Sequence, residues 1–341
     1  MENIKKKNNE KNINTKKNNN KIKIGNIILE NNVIVAPMAG VSDIGFRYIN
    51  KKIANPGALV TEMVNSRAIY YEDKKTIEML KIYENESPVI YQVFGDDEKY
   101  MYEAAKILSK KCDILDINMG CPAKKVVSTG AGSALMKDLD KARKIIKAVI
   151  KGSEVPVTLK MRLGWDKENI NCLELAKIAE EEGISLITIH GRTKAQMYQG
   201  KATYDEIKKV KEEVKIPVIV NGDIMDGKKA IEVLEYTKAD GVMIARGAMG
   251  SPYNLKQIVD SVKNMKEAKK EIPKAETVKD IVSKQYDMLI TNIGENRASK
   301  DIRKHVIWFS SGFKNSKKIR AEVKNIVDKE SLIKILDMLE D

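Results

Sequence analysis

Several side chains capable of chemistry stand where apolar runs stop abruptly. The run 114–117 carries Asp116 and ends in Asn118-Met119-Gly120-Cys121-Pro122. Gly120 permits backbone shapes other residues resist, and Pro122 withholds a backbone donor. Cys121 is therefore expected on a stiff loop after a buried strand, a placement that aims a thiol at a ligand. Cys112 and Cys172 fit inert packing, the common fate of cysteine. A free thiol with a pKa of ~8.5 is mostly protonated at neutral pH and can act as a general acid; an adjacent base would make it a nucleophile. No strong base neighbours Cys121 in sequence, which leans toward the acid and leaves the nucleophile open.

Lys160 lies on the apolar run 157–162 beside Arg162. A charge there is costly unless it meets an anion; the alternative is a lysine on a barrel rim. Gln92 both donates and accepts, which suits a pyrimidine edge. His190 fits a phosphate, a substrate or neutral packing. Asn221-Gly222-Asp223 and Ala245-Arg246-Gly247 end two later runs, leaving open amides and a positive fork where helices begin. That pairing suits a phosphate.

These residues must be positioned by the β-branched runs that precede them. Such runs recur at 33–36, 58–62, 89–94, 113–118, 156–161, 184–190, 217–221 and 241–245. Most are continuously apolar, as in strands buried on both faces. Segments of helical period separate them. Eight strands alternating with helices over roughly 240 residues predict an α/β fold, a (β/α)8 TIM barrel, with chemistry at the strands' C-terminal ends. A doubly wound open sheet is the rival, but no Gly-x-Gly-x-x-Gly follows any run. Beyond residue 262 the strand signal disappears. Val278, Val282, Tyr286, Leu289 and Ile293 form a helical stripe, and Ser331 is expected to cap a last helix. The predicted division is a Lys/Asn-rich disordered tail at 1–22, a barrel at 23–262 and a small all-helical domain at 263–341.

Three cysteines among 341 residues, with no C-x-x-C, argue against a disulfide framework or zinc and for a reducing, cytoplasmic setting. Only His190 and His305 are histidines, so no metal site is expected. No apolar run approaches the ~18 residues that span a bilayer. The net charge of +13 favours a polyanionic partner. Part of it follows from a general Lys and Asn richness. Residues 297–324, however, carry nine basic against two acidic side chains in a stretch that reads as folded. Trp308 and Phe309 within it suit a core better than a base-stacking platform.

The chain resembles the tRNA-dihydrouridine synthases, in particular the bacterial B-type branch. The resemblance rests on Ala36-Pro37-Met38-Ala39-Gly40-Val41-Ser42-Asp43 with Phe46-Arg47, Thr61-Glu62-Met63, Gln92-Val93-Phe94-Gly95 and Asp116 to Pro122. It continues through Lys160-Met161-Arg162-Leu163-Gly164-Trp165, His190-Gly191-Arg192-Thr193, Asn221-Gly222-Asp223-Ile224, Met243 to Ala248, and Arg303-Lys304-His305 with Trp308-Phe309.

The resemblance implies reduction of C5=C6 of particular uridines in tRNA, using FMN re-reduced by NADPH (or NADH). It implies that FMN is held by Pro37, Met38, Ala39, Gln92, Lys160, His190, Asn221, Gly222, Asp223, Ala245 and Arg246. Hydride reaches C6 of a flipped-out uridine, Cys121 protonates C5, and Asn118 and Arg162 meet the substrate. Arg297, Lys304, Lys317, Lys318 and Arg320 of the helical domain grip the RNA, and a monomer without an obligate protein partner is expected. Two departures stand out: Gly45 where proline is common, and Ala245 where glycine is common. A flavin barrel for a free pyrimidine would not need the basic helical appendage, and a non-catalytic RNA-binding protein would not need Cys121, Lys160 and Arg246 together.

Overall fold

The computed structural model describes residues 21–341. Eight parallel strands close into a barrel in the order β10-β3-β4-β5-β6-β7-β8-β9. They are β3 (Val33–Val35), β4 (Ala58–Asn65), β5 (Val89–Phe94), β6 (Ile114–Met119), β7 (Val157–Arg162), β8 (Ile187–His190), β9 (Val218–Asn221) and β10 (Gly241–Ile244). Before them lies a short antiparallel hairpin, β1 (Lys23–Ile24) with β2 (Ile27–Ile28). Sequence periodicity misses it because two residues per strand display no alternation.

Alternation along each barrel strand separates two environments. Leu115, Ile117 and Met119 of β6, like Val157, Leu159 and Met161 of β7, face the surrounding helices and are buried there. Inside the barrel, Ile34, Ile90, Ile114, Ile219 and Met243 form an apolar floor, sealed from below by Ile22, Ile24 and Leu29. Above this floor the inward positions turn polar. In register, Gln92 lies opposite Asp116 and Asp116 opposite Thr158. Asn118 lies opposite Lys160, and His190 opposite Asn221. The second strand extends past its expected end at Glu62 to Asn65, with a register shift between Val60 and Met63. Bulges of this kind re-aim side chains at barrel rims.

The helix Pro252–Asn264 packs on the barrel core through Leu255, Ile258, Val259 and Val262. It therefore belongs to the barrel, and the next helix starts only at Ala275. The helices Ala275–Ile293, Glu295–Phe309, Ser316–Glu322 and Lys329–Leu336 share a second core with Ile44, Ile49 and Tyr83 of the barrel. A Cβ on Gly45 would lie 2.9 Å from the Gln285 carbonyl oxygen, so the glycine permits the two helices to approach closely. His305, 1% exposed, stands 3.3 Å from the Asp43 carboxylate and joins the helical domain to the barrel's first helix. Gly250, at φ +76°, lets the loop after β10 run against Trp308. Phe309 is buried and Trp308 half-buried, as expected of packing residues.

Ser331 is not the N-cap of the last helix. Asp328 caps it, and Ser331 is the reciprocal partner three positions on, a capping box with an acidic first member. Of the tail predicted at 1–22, residues 1–20 lie outside the described residues, while Ile22 is part of the barrel floor. Among the described residues no helix is long and apolar enough to cross a membrane, and no cluster of three His, Cys, Asp or Glu could hold a metal.

Candidate active site

The polar layer opens into a pocket of about 450 Å³ at the C-terminal ends of the strands. It is lined by Pro37, Met38 and Ala39 after β3, Gln92 of β5, and Asn118 and Cys121 at the end of β6. Lys160 and Arg162 of β7, His190 of β8, Asn221, Gly222 and Asp223 at β9, and Ala245 and Arg246 after β10 complete it. The fourteen pocket residues expected from sequence thus converge. Met63, Met197, Met225 and Met249 add flat, polarizable walls.

Cys121 is half-buried at the pocket wall. Its backbone is pinned from two sides. Asn118 Oδ1 accepts from the Gly120 N–H at 3.2 Å and the Cys121 N–H at 2.9 Å. The Cys121 carbonyl accepts from Ser133 Oγ at 2.8 Å. Burial pushes the thiol pKa up, and the Ala123 amide with the positive Arg162 and Lys160 only partly opposes it. The proton therefore stays on sulfur at neutral pH. Burial pushes Cys112 and Cys172 up to about 12, as befits inert thiols.

Lys160 is half-buried on the pocket wall, and among the described residues its Nζ has one hydrogen bond, a long one of 3.4 Å to Asn221 Oδ1. Burial and the neighbouring Arg162 lower its pKa to about 8, opposed by the more distant Asp116; at pH 7 it is a cation with no carboxylate in ion-pair contact among the described residues. Such a charge is costly unless a ligand answers it. Arg162 is not free for a ligand in the same way. Its Nε donates to the Gly120 carbonyl at 2.7 Å, and Nη1 donates to the Thr193 and Met197 carbonyls. It braces the Cys121 loop while still lining the pocket. His190 is held neutral, first by burial and then by Lys160, Arg162, Arg192 and Arg246 around it.

The loops after β9 and β10 differ from a free positive fork. Asp223 takes Arg246 Nη2 at 2.8 Å, Arg192 Nη2 at 2.7 Å and the Ala202 N–H at 2.8 Å. Burial works to raise its pKa, but the Ala202 amide, Arg192 and Arg246 outweigh it and hold the carboxyl below its ordinary value. The Asp223 carboxylate is thus an organiser of the two arginines. Gly222, at φ +125°, passes so close to Ala202 that a Cβ would stand 2.9 Å away.

Sequence reasoning assigned no role to two residues. Arg192, 2% exposed, ties the loop after β8 to Asp223 through the Gln199 and Gly200 carbonyls. Its place two residues beyond His190 was the available signal. Tyr198, 59% exposed at the pocket mouth, lies with its ring centroid 5.6 Å from the Arg162 guanidinium carbon. An aromatic in an aperiodic loop carries no sequence signal of its own.

The basic residues expected to hold RNA fall into two groups. Arg297 pairs with Glu78 at 2.9 Å, and Lys304 stands 3.8 Å from both Asp43 and Asp301. These two knit the helical domain to the barrel. Lys317, Lys318 and Arg320 are exposed on the helix Ser316–Glu322 and, among the described residues, pair with no carboxylate.

A closed parallel barrel whose convergent polar groups sit at its C-terminal mouth is an enzyme architecture, because the loops that follow all eight strands meet there around one substrate site. More narrowly, the chain belongs to the dihydrouridine synthase (Dus) family, whose model matches residues 34–340. It is 44% identical over 300 residues to a probable tRNA-dihydrouridine synthase of Rickettsia bellii, covering 87% of this chain and 91% of the relative. It is 45% identical over 286 residues to tRNA-dihydrouridine synthase B of Vibrio vulnificus, covering 83% and 88%. Among solved structures, 2-naphthoyl-CoA reductase in complex with 2-naphthoyl-CoA is similar in fold, with a TM-score of 0.55 at 12% identity over 71% of this chain and 52% of that one.

Proposed function

We propose that this chain reduces particular uridines of tRNA to 5,6-dihydrouridine with FMN as its resident cofactor and NADPH as reductant. The observation that carries the reading is Lys160, a half-buried ammonium with no carboxylate in ion-pair contact among the described residues, in the same pocket as a thiol that keeps its proton. A flavin fits this chemistry: its pyrimidine edge gains negative charge on reduction, and the methionine walls suit a planar ring. Lys160 would meet that edge, and Gln92 would offer it a donor. Pro37, Met38 and Ala39 would support the ring. His190, Asn221, Gly222, Asp223, Ala245 and Arg246 would hold the remainder, Arg246 turning its unused nitrogens to the phosphate.

FMN, when bound and reduced, would supply the hydride for uracil C6. Cys121 would give its proton to C5, while Asn118 and Arg162 would keep the thiol loop and the uracil edge in place. The base must leave the RNA stack to reach the pocket. Lys317, Lys318 and Arg320 meet the RNA backbone directly; Arg297 and Lys304 contribute by holding the domain on the barrel. The relatives' names, which specify tRNA, support this substrate.

Purified protein should be yellow, release FMN on denaturation, and form dihydrouridine in unmodified tRNA with NADPH. A colourless protein that cannot be reconstituted with FMN refutes the proposal.

A further inference from the structure

Asp116 is buried at 4% exposure beneath the pocket, and the proposed reaction makes no use of it. Enclosing a carboxylate carries a desolvation cost, and a well-packed apolar residue in such a place is often neutral or stabilising. Its contacts point to a role. Asp116 Oδ1 accepts from Thr158 Oγ1 at 2.6 Å, and Oδ2 accepts from Gln92 Nε2 at 2.6 Å. Gln92 Oε1 in turn accepts from Asn118 Nδ2 at 2.7 Å. Asn118 Oδ1 accepts from the Gly120 and Cys121 N–H groups.

The direction of this chain is decided at its ends. A backbone N–H only donates, and an ionised carboxylate only accepts. Two amides between such ends satisfy every link in one orientation only. Reversing either one sets oxygen against oxygen at one joint and N–H against N–H at the other. Both Asp116 oxygens receive a donor, Thr158 Oγ1 and Gln92 Nε2, which makes it the acceptor end; burial pushes its pKa up to about 6, against those donors and Lys160.

We infer that Asp116 is a positioning residue: as the obligate acceptor at the end of the chain it orients the Gln92 and Asn118 amides, and through them holds the Cys121 loop. The inference rests on the proposed reading only for its effect on turnover, because loop order is measured separately.

The test is hydrogen exchange of the holoprotein, read at the Gly120 and Cys121 amides and along β6. Asp116→Ala should speed exchange of those two amides at least tenfold, as Asn118→Ala does, and leave the β6 amides protected. Asp116→Asn should keep most of the protection, since its Oδ1 can still accept from Gln92. In the same variants, the uridine-reduction rate should fall with the loss of protection. Unchanged protection in Asp116→Ala overturns the inference. So does equal loss along all of β6, which would mark Asp116 as a structural residue only. If the parent forms no dihydrouridine, the proposed function fails while the exchange result still decides the positioning role.

Discussion

Replacing Cys121 with serine keeps the side chain's size but substitutes a far weaker acid. The thiol is half-buried, and the loop's anchors are backbone groups and Asn118, so the change leaves no charge unpaired. Stability should change by less than about 1 kcal/mol. General-acid assistance typically supplies ~10²–10⁴-fold, or about 3–5 kcal/mol of barrier. Uridine reduction by the pre-reduced variant should fall by that factor, while flavin content and flavin reduction by NADPH stay at parental values. The acid role also demands a protonated resting thiol. Burial raises the pKa above its ordinary ~8.5, so at pH 7.5 the thiolate is under about one-tenth of the population. Iodoacetamide alkylation of Cys121 against pH reads this directly, because the other two thiols are pushed to about 12. An alkylation inflection below pH 7, or a Cys121→Ser variant reducing uridine at the parental rate, would refute the acid assignment.

Lys160→Met should weaken FMN retention yet stabilise the flavin-free protein, because it removes a desolvated cation. The flavin-free parent has Lys160 at about 8 against 10.5 unfolded, so the unfolded chain binds more protons between those values. Parental stability should therefore rise with pH across that window, by up to about 3 kcal/mol from this group, and the rise should be absent in Lys160→Met. Arg47→Met leaves Glu86 buried without its ion pair, which should cost about 3–5 kcal/mol in denaturant unfolding. Charge reversal at Lys317, Lys318 and Arg320 should weaken tRNA binding and flatten its salt dependence by about one slope unit per lost phosphate contact, with flavin absorbance unchanged; unaltered affinity removes this face from the RNA interface. Asp43, in which burial's upward push is outweighed by His305, is held below its ordinary value. Its stabilising share is present above about pH 4 and is lost as pH falls further, so thermal unfolding of His305→Gln should show a smaller acid decline than the parent.

The barrel was legible because its strands are buried on both faces, so each reads as an apolar run whose spacing counts the strands. The pocket residues were legible for a related reason. Polar groups at the ends of such runs have few places to go except the barrel mouth, and Cys121, Lys160 and Gln92 all went there. The hairpin of Lys23 to Ile28 was not legible, being too short to carry a period. Nor was the true cap of the last helix, since Asp328 and Ser331 are both good capping residues and only the backbone conformation separates them.

By itself the sequence determined the eight-stranded plan, the helical appendage and the identity of the thiol loop, because periodicity and loop chemistry are local properties. Tertiary structure alone decided which charges are spent and which are free. Arg246 and Arg192 converge on Asp223, and Arg297 and Lys304 meet acids from distant segments. Arg162 braces the Gly120 carbonyl, whereas Lys160 reaches only Asn221, at 3.4 Å, and has no carboxylate in ion-pair contact among the described residues. The same cation binds a ligand or a neighbour according to what lies within a few ångströms, and that neighbour is set by strand register and loop closure rather than by adjacency in the chain. The link from Asp116 through Gln92 and Asn118 to Cys121 is of this kind: its members come from neighbouring strands, and their donor and acceptor directions emerge only when the barrel closes.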